Sequence, residues 1–247
     1  MRKVVACVVG VILLSTAASA WAREIHLPAE AAVAGNVIIA DWFYEQVDRD
    51  TVVPRTFEVY QGVAKDADAA FFDAKVVAQP GDIIVLAPGD YVANLWVFTE
   101  GVLVKTADGA ETLATLHGSL EIDADRVTLE RVAVVDSEAH GIEINRELVR
   151  YVTIRGCRSE NNAWIGIHLI GPRGTIAEYR IEDCQVIGNG QHGIDVRDTI
   201  RFVVIGCTIV GNGKAGVYIE SYVDHVDLQD NSMSDNADGD VVYKHGS

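Results

Sequence analysis

From Gly141 onward the apolar positions of this chain come in short alternating bursts, and the bursts recur. Gly141-Ile142-Glu143-Ile144 returns as Gly166-Ile167-His168-Leu169, Gly193-Ile194-Asp195-Val196 and Gly216-Val217-Tyr218-Ile219. The steps are 25, 27 and 23 residues, and a degenerate copy follows at Gly239. Alternation with period two marks a strand that buries one face. A second apolar strand follows each burst, at 152–154, 179–181, 203–205 and 226–228. A unit this short cannot bury its own apolar face, so successive units must stack.

Two further columns support the stacking. Cys157, Cys184 and Cys207 are spaced by 27 and 23 residues, so they occupy one equivalent position in successive turns. The spacing permits either one disulfide in an exported protein or a stack of three small apolar side chains. Asn162, Asn189 and Asn212 each sit five residues after a cysteine, and Asn236 stands in the same relation to Asn231. An Asn repeated at one corner of every turn predicts a ladder of amides that satisfies buried backbone groups. Two or three strands per coil, with Gly and Asn at the corners, describe an all-β, single-stranded, right-handed parallel β-helix. A leucine-rich repeat would need Leu at fixed offsets and a helix per turn, and a propeller blade needs about 40 residues.

Ahead of the repeats, β-rich segments begin at Ile83-Ile84-Val85-Leu86, bounded by the turns Gln79-Pro80-Gly81-Asp82 and Pro88-Gly89-Asp90-Tyr91. Ala70, Phe71, Ala74 and Val77 recur at helical spacing after Asp66 or Asp68, which predicts a short N-terminal capping helix over 66–77. The first residues read as a processing signal. Arg2 and Lys3 precede an apolar run from Val4 to Leu14, and small residues around Ala18, Ala20 and Ala22 offer cleavage sites. The expected organisation is therefore a signal peptide at 1–22, an N-terminal segment with the capping helix at 23–82, and β-helix repeats at 83–247. A periplasmic or secreted location follows, with no membrane span after signal cleavage.

The formal net charge is −16, and loss of Arg2 and Lys3 deepens it. That argues against nucleic acid and against anionic lipid, and it disfavours highly anionic polymers unless a cation such as calcium intervenes.

The segment Ala78-Gln79-Pro80-Gly81-Asp82-Ile83-Ile84-Val85-Leu86-Ala87-Pro88-Gly89-Asp90-Tyr91, together with the Gly-apolar-x-apolar units and their trailing Asn, resembles the right-handed parallel β-helix superfamily of pectate-lyase-like proteins. The resemblance covers about residues 60 to 243. It implies the fold and a carbohydrate-related setting, because that superfamily includes polysaccharide lyases, epimerases, hydrolases and non-catalytic accessory proteins. The Asp-Pro-His-Asp motif of mannuronan epimerases is absent, as are the polygalacturonase signatures, and Gln191-His192-Gly193 is a partial echo of one of them. No single activity transfers residue by residue.

Candidate chemistry comes from the letter between the two inward apolar residues of each burst, which must point outward. That column reads Glu143, His168, Asp195, Tyr218, with Glu121 below, and it places His168 between two carboxylates. The expected roles are His168 as acid/base group and Glu143 and Asp195 as orienters or calcium ligands. The next outward column reads Asn145, Ile170, Arg197, Glu220. Asn145, Arg197, Glu220 and Tyr218 would contact substrate, with Arg173 from the longest turn forming a lip. Alternating charges that merely pair across strands on a solvated face are the competing reading. His140 and His192 precede the repeat glycines at matching positions and read as strand-edge residues rather than a metal pair.

The functional expectation is an exported protein that binds polysaccharide or envelope glycan and processes it by lyase, epimerase or hydrolase chemistry. The alternative is a non-catalytic envelope accessory protein that uses the same face. The strands that end the chain also invite a partner or a second copy at that end of the solenoid.

Overall fold

The computed structural model describes residues 24–27, 35–40, 43–48, 51–55, 64–65, 72–144, 149–172, 176–220 and 222–244. From Ile83 onward the chain winds as a parallel solenoid with three strands to the coil. One coil runs through Val152–Arg155, Arg158–Glu160 and Ile167–Ile170. The next runs through Glu178–Glu182, Gln185–Ile187 and Ile194–Arg197. Equivalent strands stack into an 8-stranded, a 7-stranded and a 10-stranded sheet. These three walls are termed the first, second and third sheets.

Single residues turn two of the corners. Between the first and second sheets the left-handed residue is Arg131, Gly156, Asp183, Gly206 and Asp230 in successive coils, with φ of 53° to 66°. Between the second sheet and the following turn it is Asp136, Asn161, Gly188, Gly211 and Asp235, with φ of 54° to 68°. Gly, Asn and Asp tolerate this backbone best, which explains their recurrence at these corners.

The inward residues are apolar and fully enclosed: Ile142 and Ile144, Ile167 and Leu169, Ile194 and Val196 all lie in one core cluster. Cys157, Cys184 and Cys207 are buried free thiols stacked in register within that core. The Asn ladder forms as expected. Nδ2 of Asn162 donates to Oδ1 of Asn189 at 2.9 Å, Asn189 to Asn212 at 3.0 Å, and Asn212 to Asn236 at 2.8 Å. Each Oδ1 also accepts the backbone N–H of the residue one coil back, as Asn189 does from Asn162 at 3.1 Å.

The N-terminal region departs from the helical spacing. Phe72–Val77, the second half of the expected capping helix, is a strand, and residues 66–71 lie outside the described residues. It pairs in parallel with Gly35–Ala40, which in turn pairs with Ala93–Val97 and so extends the third sheet. Short apolar runs with several fitting periods are decided by the partner available, and here a sheet edge wins over a lone helix. Glu24–Leu27 extends the first sheet in the same way, against Ile83–Leu86. The 1–22 segment and the strand expected at 56–60 lie outside the described residues. Among the described residues no helix is long and apolar enough to cross a membrane.

Candidate functional site

The outward letter of the repeat forms one continuous column on the third sheet. In register, Trp96 pairs with Glu121, Glu121 with Glu143, Glu143 with His168, His168 with Asp195, and Asp195 with Tyr218. Stacked strands stand about 4.8 Å apart, so His168 has a carboxylate on either side. This part of the expectation is met by backbone register alone.

Burial separates this column from ordinary cross-strand pairing. The second sheet carries a similar arrangement, in which Nε2 of His117 lies 3.1 Å from Asp90 and Nδ1 lies 3.5 Å from Asp136. There the side chains are 37%, 74% and 60% exposed, as a solvated ladder should be. In the third sheet the side chains of His168 and Glu143 are 8% and 19% exposed, and that of Asp195 is 4%. Here the outward face is covered by neighbouring side chains rather than open to solvent.

Neighbouring rings supply much of the cover. His140 stacks on His168 with ring centroids 4.4 Å apart, and Trp164 meets His140 edge-on at 5.1 Å. One step along the column His192 stacks on Tyr218 at 4.3 Å. Both stacking histidines are fixed by the backbone of the next coil. Nδ1 of His140 accepts the N–H of Ile165 at 3.4 Å, and Nδ1 of His192 accepts that of Ala215 at 3.2 Å. The strand-edge reading of these two residues explains their position but missed that His140 joins the column.

The polar contacts are uneven. Nδ1 of His168 donates to Oε1 of Glu143 at 3.3 Å, while among the described residues Nε2 of His168 is buried without a hydrogen-bond partner. Oδ1 of Asp195, on the paired residue of the next strand, is likewise buried and unpartnered. Arg197 reaches Oδ2 of Asp195 at 3.2 Å and Glu220 at 3.5 Å, and Lys244 also approaches Glu220 at 3.5 Å. Arg197 and Glu220 therefore adjoin the column, with the arginine paired to two carboxylates. Asn145 and Arg173 lie outside the described residues.

Proton affinities follow from these surroundings. Burial, helped by the adjacent His168, pulls His140 down to about 4, so its ring is neutral at neutral pH. Burial raises Asp195 above the usual carboxylate value, more than the nearby Arg197 and His168 lower it. For Glu143, burial pushes upward, but the hydrogen bond from His168 and the neighbouring imidazoles outweigh it and hold the carboxyl low. Two carboxylates in one column are thus driven apart, a pattern that separates acid from base roles in a reactive cleft.

A family model described as the right handed beta helix region matches residues 116–247. The chain belongs to this right-handed β-helix family. Similar solved structures include the mannuronan C-5 epimerase AlgE6 A-module from Azotobacter vinelandii, 16% identical over 65% of this chain and 71% of that chain, TM-score 0.28. The pectate lyase Pel9A is 10% identical over 86% of this chain and 80% of that chain, TM-score 0.33. The periplasmic alginate epimerase AlgG is 14% identical over 86% of this chain and 73% of that chain, TM-score 0.37. No curated protein matches it.

Proposed function

We propose that this β-helix protein is exported and binds a polysaccharide along its third sheet, with the glycan lying across the His168 cleft. The observation that carries the reading is the buried His168 column on an outward face, flanked by rings that sugars can stack on. Trp164 is 49% exposed at its margin, and Tyr218 forms part of its floor. An apolar ring face beside convergent polar groups suits a sugar, whose faces are apolar and whose rim is hydroxylic. Within this reading Arg197 and Glu220 contact the chain of sugars at one end of the cleft, with Asn145 and Arg173 as further contacts.

The chemistry available there is proton transfer at a sugar carbon or a glycosidic oxygen, with the low Glu143 and the raised Asp195 in opposite protonation tendencies. Lyase, epimerase and hydrolase reactions all begin from such groups. The deciding experiment incubates the purified protein with a panel of uronate and neutral polysaccharides. It follows unsaturated products by ultraviolet absorbance, reducing ends by colorimetry and epimerisation by proton NMR. Any product that disappears in His168→Ala supports processing. Retention of a polysaccharide without product supports the non-catalytic accessory role, and neither binding nor product overturns the glycan reading.

A further inference from the structure

We infer that His140, Glu143 and His168 form a binding site for one divalent cation of the zinc class, with a coordination position left open to the cleft. The inference goes beyond the glycan reading and stands without it.

Three observations converge. First, Nε2 of His140 and Nδ1 of His168 lie 3.9 and 3.3 Å from the same Glu143 oxygen. Among the described residues these three side chains present ligand atoms all within 4.8 Å of one another. Donors about 2.1 Å from a tetrahedral ion stand about 3.4 Å apart, so a small inward movement closes the set. Second, the ligands come from rigid strands and from a ring already pinned through its other nitrogen. His140 holds the Ile165 N–H on Nδ1, which leaves Nε2 as the atom turned toward Glu143. Metal-bound histidines generally have the second nitrogen fixed in this way.

Third, the His168 ring is buried and its polar atoms are only partly satisfied by the protein. Nδ1 of His168 faces Glu143, and among the described residues its Nε2 is buried with no hydrogen-bond partner. A cation bound at Nδ1 moves the hydrogen to Nε2. The paired residue one strand on is Asp195, whose Oδ1 is also buried without a hydrogen-bond partner among the described residues.

The donor set selects the ion. Two imidazoles and one carboxylate suit zinc and its neighbours, whereas calcium requires six or more oxygen donors. Three protein ligands leave the fourth tetrahedral position for water or a substrate oxygen, the pattern of reactive rather than structural zinc sites.

The test uses the untagged mature protein, stripped with chelator and titrated with zinc by calorimetry, with bound metal counted by mass spectrometry. One zinc per chain is expected, together with a rise in melting temperature on zinc addition. His140→Ala and Glu143→Gln should each weaken zinc by about 100-fold or more, while His117→Ala leaves affinity unchanged. Cobalt loading should give the intense visible absorption of a four-coordinate ion. His140 sits at the cleft margin rather than in the core, so its variant tests binding even where His168 variants fail to fold. Absence of zinc binding, parental affinity retained in the His140 and Glu143 variants, or calcium preferred over zinc would each overturn the site. Because the readout is metal content, failure of the glycan panel does not touch it.

Discussion

Gly166 lies against Asn189 so closely that a Cβ at the glycine would stand 2.6 Å from Nδ2 of the amide. The same added atom would meet the Gly193 carbonyl oxygen at 2.7 Å. Gly141, Gly193 and Gly216 face Asn162, Asn212 and Asn236 in the same way. The glycine that opens each repeat is therefore demanded by the ladder of the next coil, since none of these four has a positive φ. Gly166→Ala should destabilise the protein by about 2 to 3 kcal/mol through overpacking against backbone. Denaturant unfolding would measure it, and a neutral result would show that the coils can separate without loss.

Removing an amide from the ladder should cost more than crowding it. Asn189 accepts from the backbone N–H and the Nδ2 of Asn162, and its own Nδ2 donates to Asn212 and to the Ser159 carbonyl. Asn189→Ala orphans several buried groups, at roughly 1 to 3 kcal/mol each. A loss of about 3 to 5 kcal/mol is expected, read as a lower denaturant midpoint, and Asn189→Asp should be no better because a buried charge replaces the donor.

Asp195 should make the protein more stable when it is neutralised. Its folded carboxyl is raised above the ordinary value of 3.8, chiefly by burial, so the folded state holds the proton more tightly than the unfolded chain. The cost is absent below the unfolded pKa and fully present once pH exceeds the folded one. Asp195→Asn is expected to melt about 2 to 4 °C above the parent at pH 7, with the gap closing as pH falls toward 4. Thermal scans of both proteins across that range decide it, and a constant gap would refute the assignment.

The three core thiols should be silent toward alkylating reagents in the native state. Cys157, Cys184 and Cys207 are each exposed by 2% or less. Labelling should therefore proceed at the rate of unfolding and reach all three sites together, as peptide mapping after timed exposure to iodoacetamide would show. Fast labelling of one site would mean that a coil opens on its own.

Trp164 offers a test of the cleft that leaves the fold alone. The side chain is half exposed and makes its ring contact with His140 at the edge. Trp164→Ala should leave the melting temperature within about 1 °C and weaken polysaccharide retention about tenfold, or about 1.4 kcal/mol. Affinity electrophoresis in gels containing the polymer would report the difference.

Much of this was legible in residue order. Periodicity gave the stacking of Ile167 on Ile194, the amide ladder and the register that brings Glu143, His168 and Asp195 together, because all three depend on backbone spacing. The burial of that column was not legible. It arises from His140 and Arg197, which belong to adjacent columns and cover their neighbours sideways, a relation that no period encodes. His140 hid for a related reason, since its own column runs His140, Ile165, His192, Ala215 and reads as a mixed strand edge. Phe72–Val77 was misread because its partner, Gly35–Ala40, lies more than thirty residues earlier in the chain.

Because each coil repeats the contacts of the one before, the coil is also a unit of length that can be edited. Excising residues 166–192 would set Gly193 where Gly166 stood and carry Asn212 into the place of Asn189. Every inward stack would close again over the gap. On the outer face, however, Glu143 would meet Asp195 with no imidazole between them. The scaffold can be shortened by a whole coil, whereas the cleft exists at a single address along it.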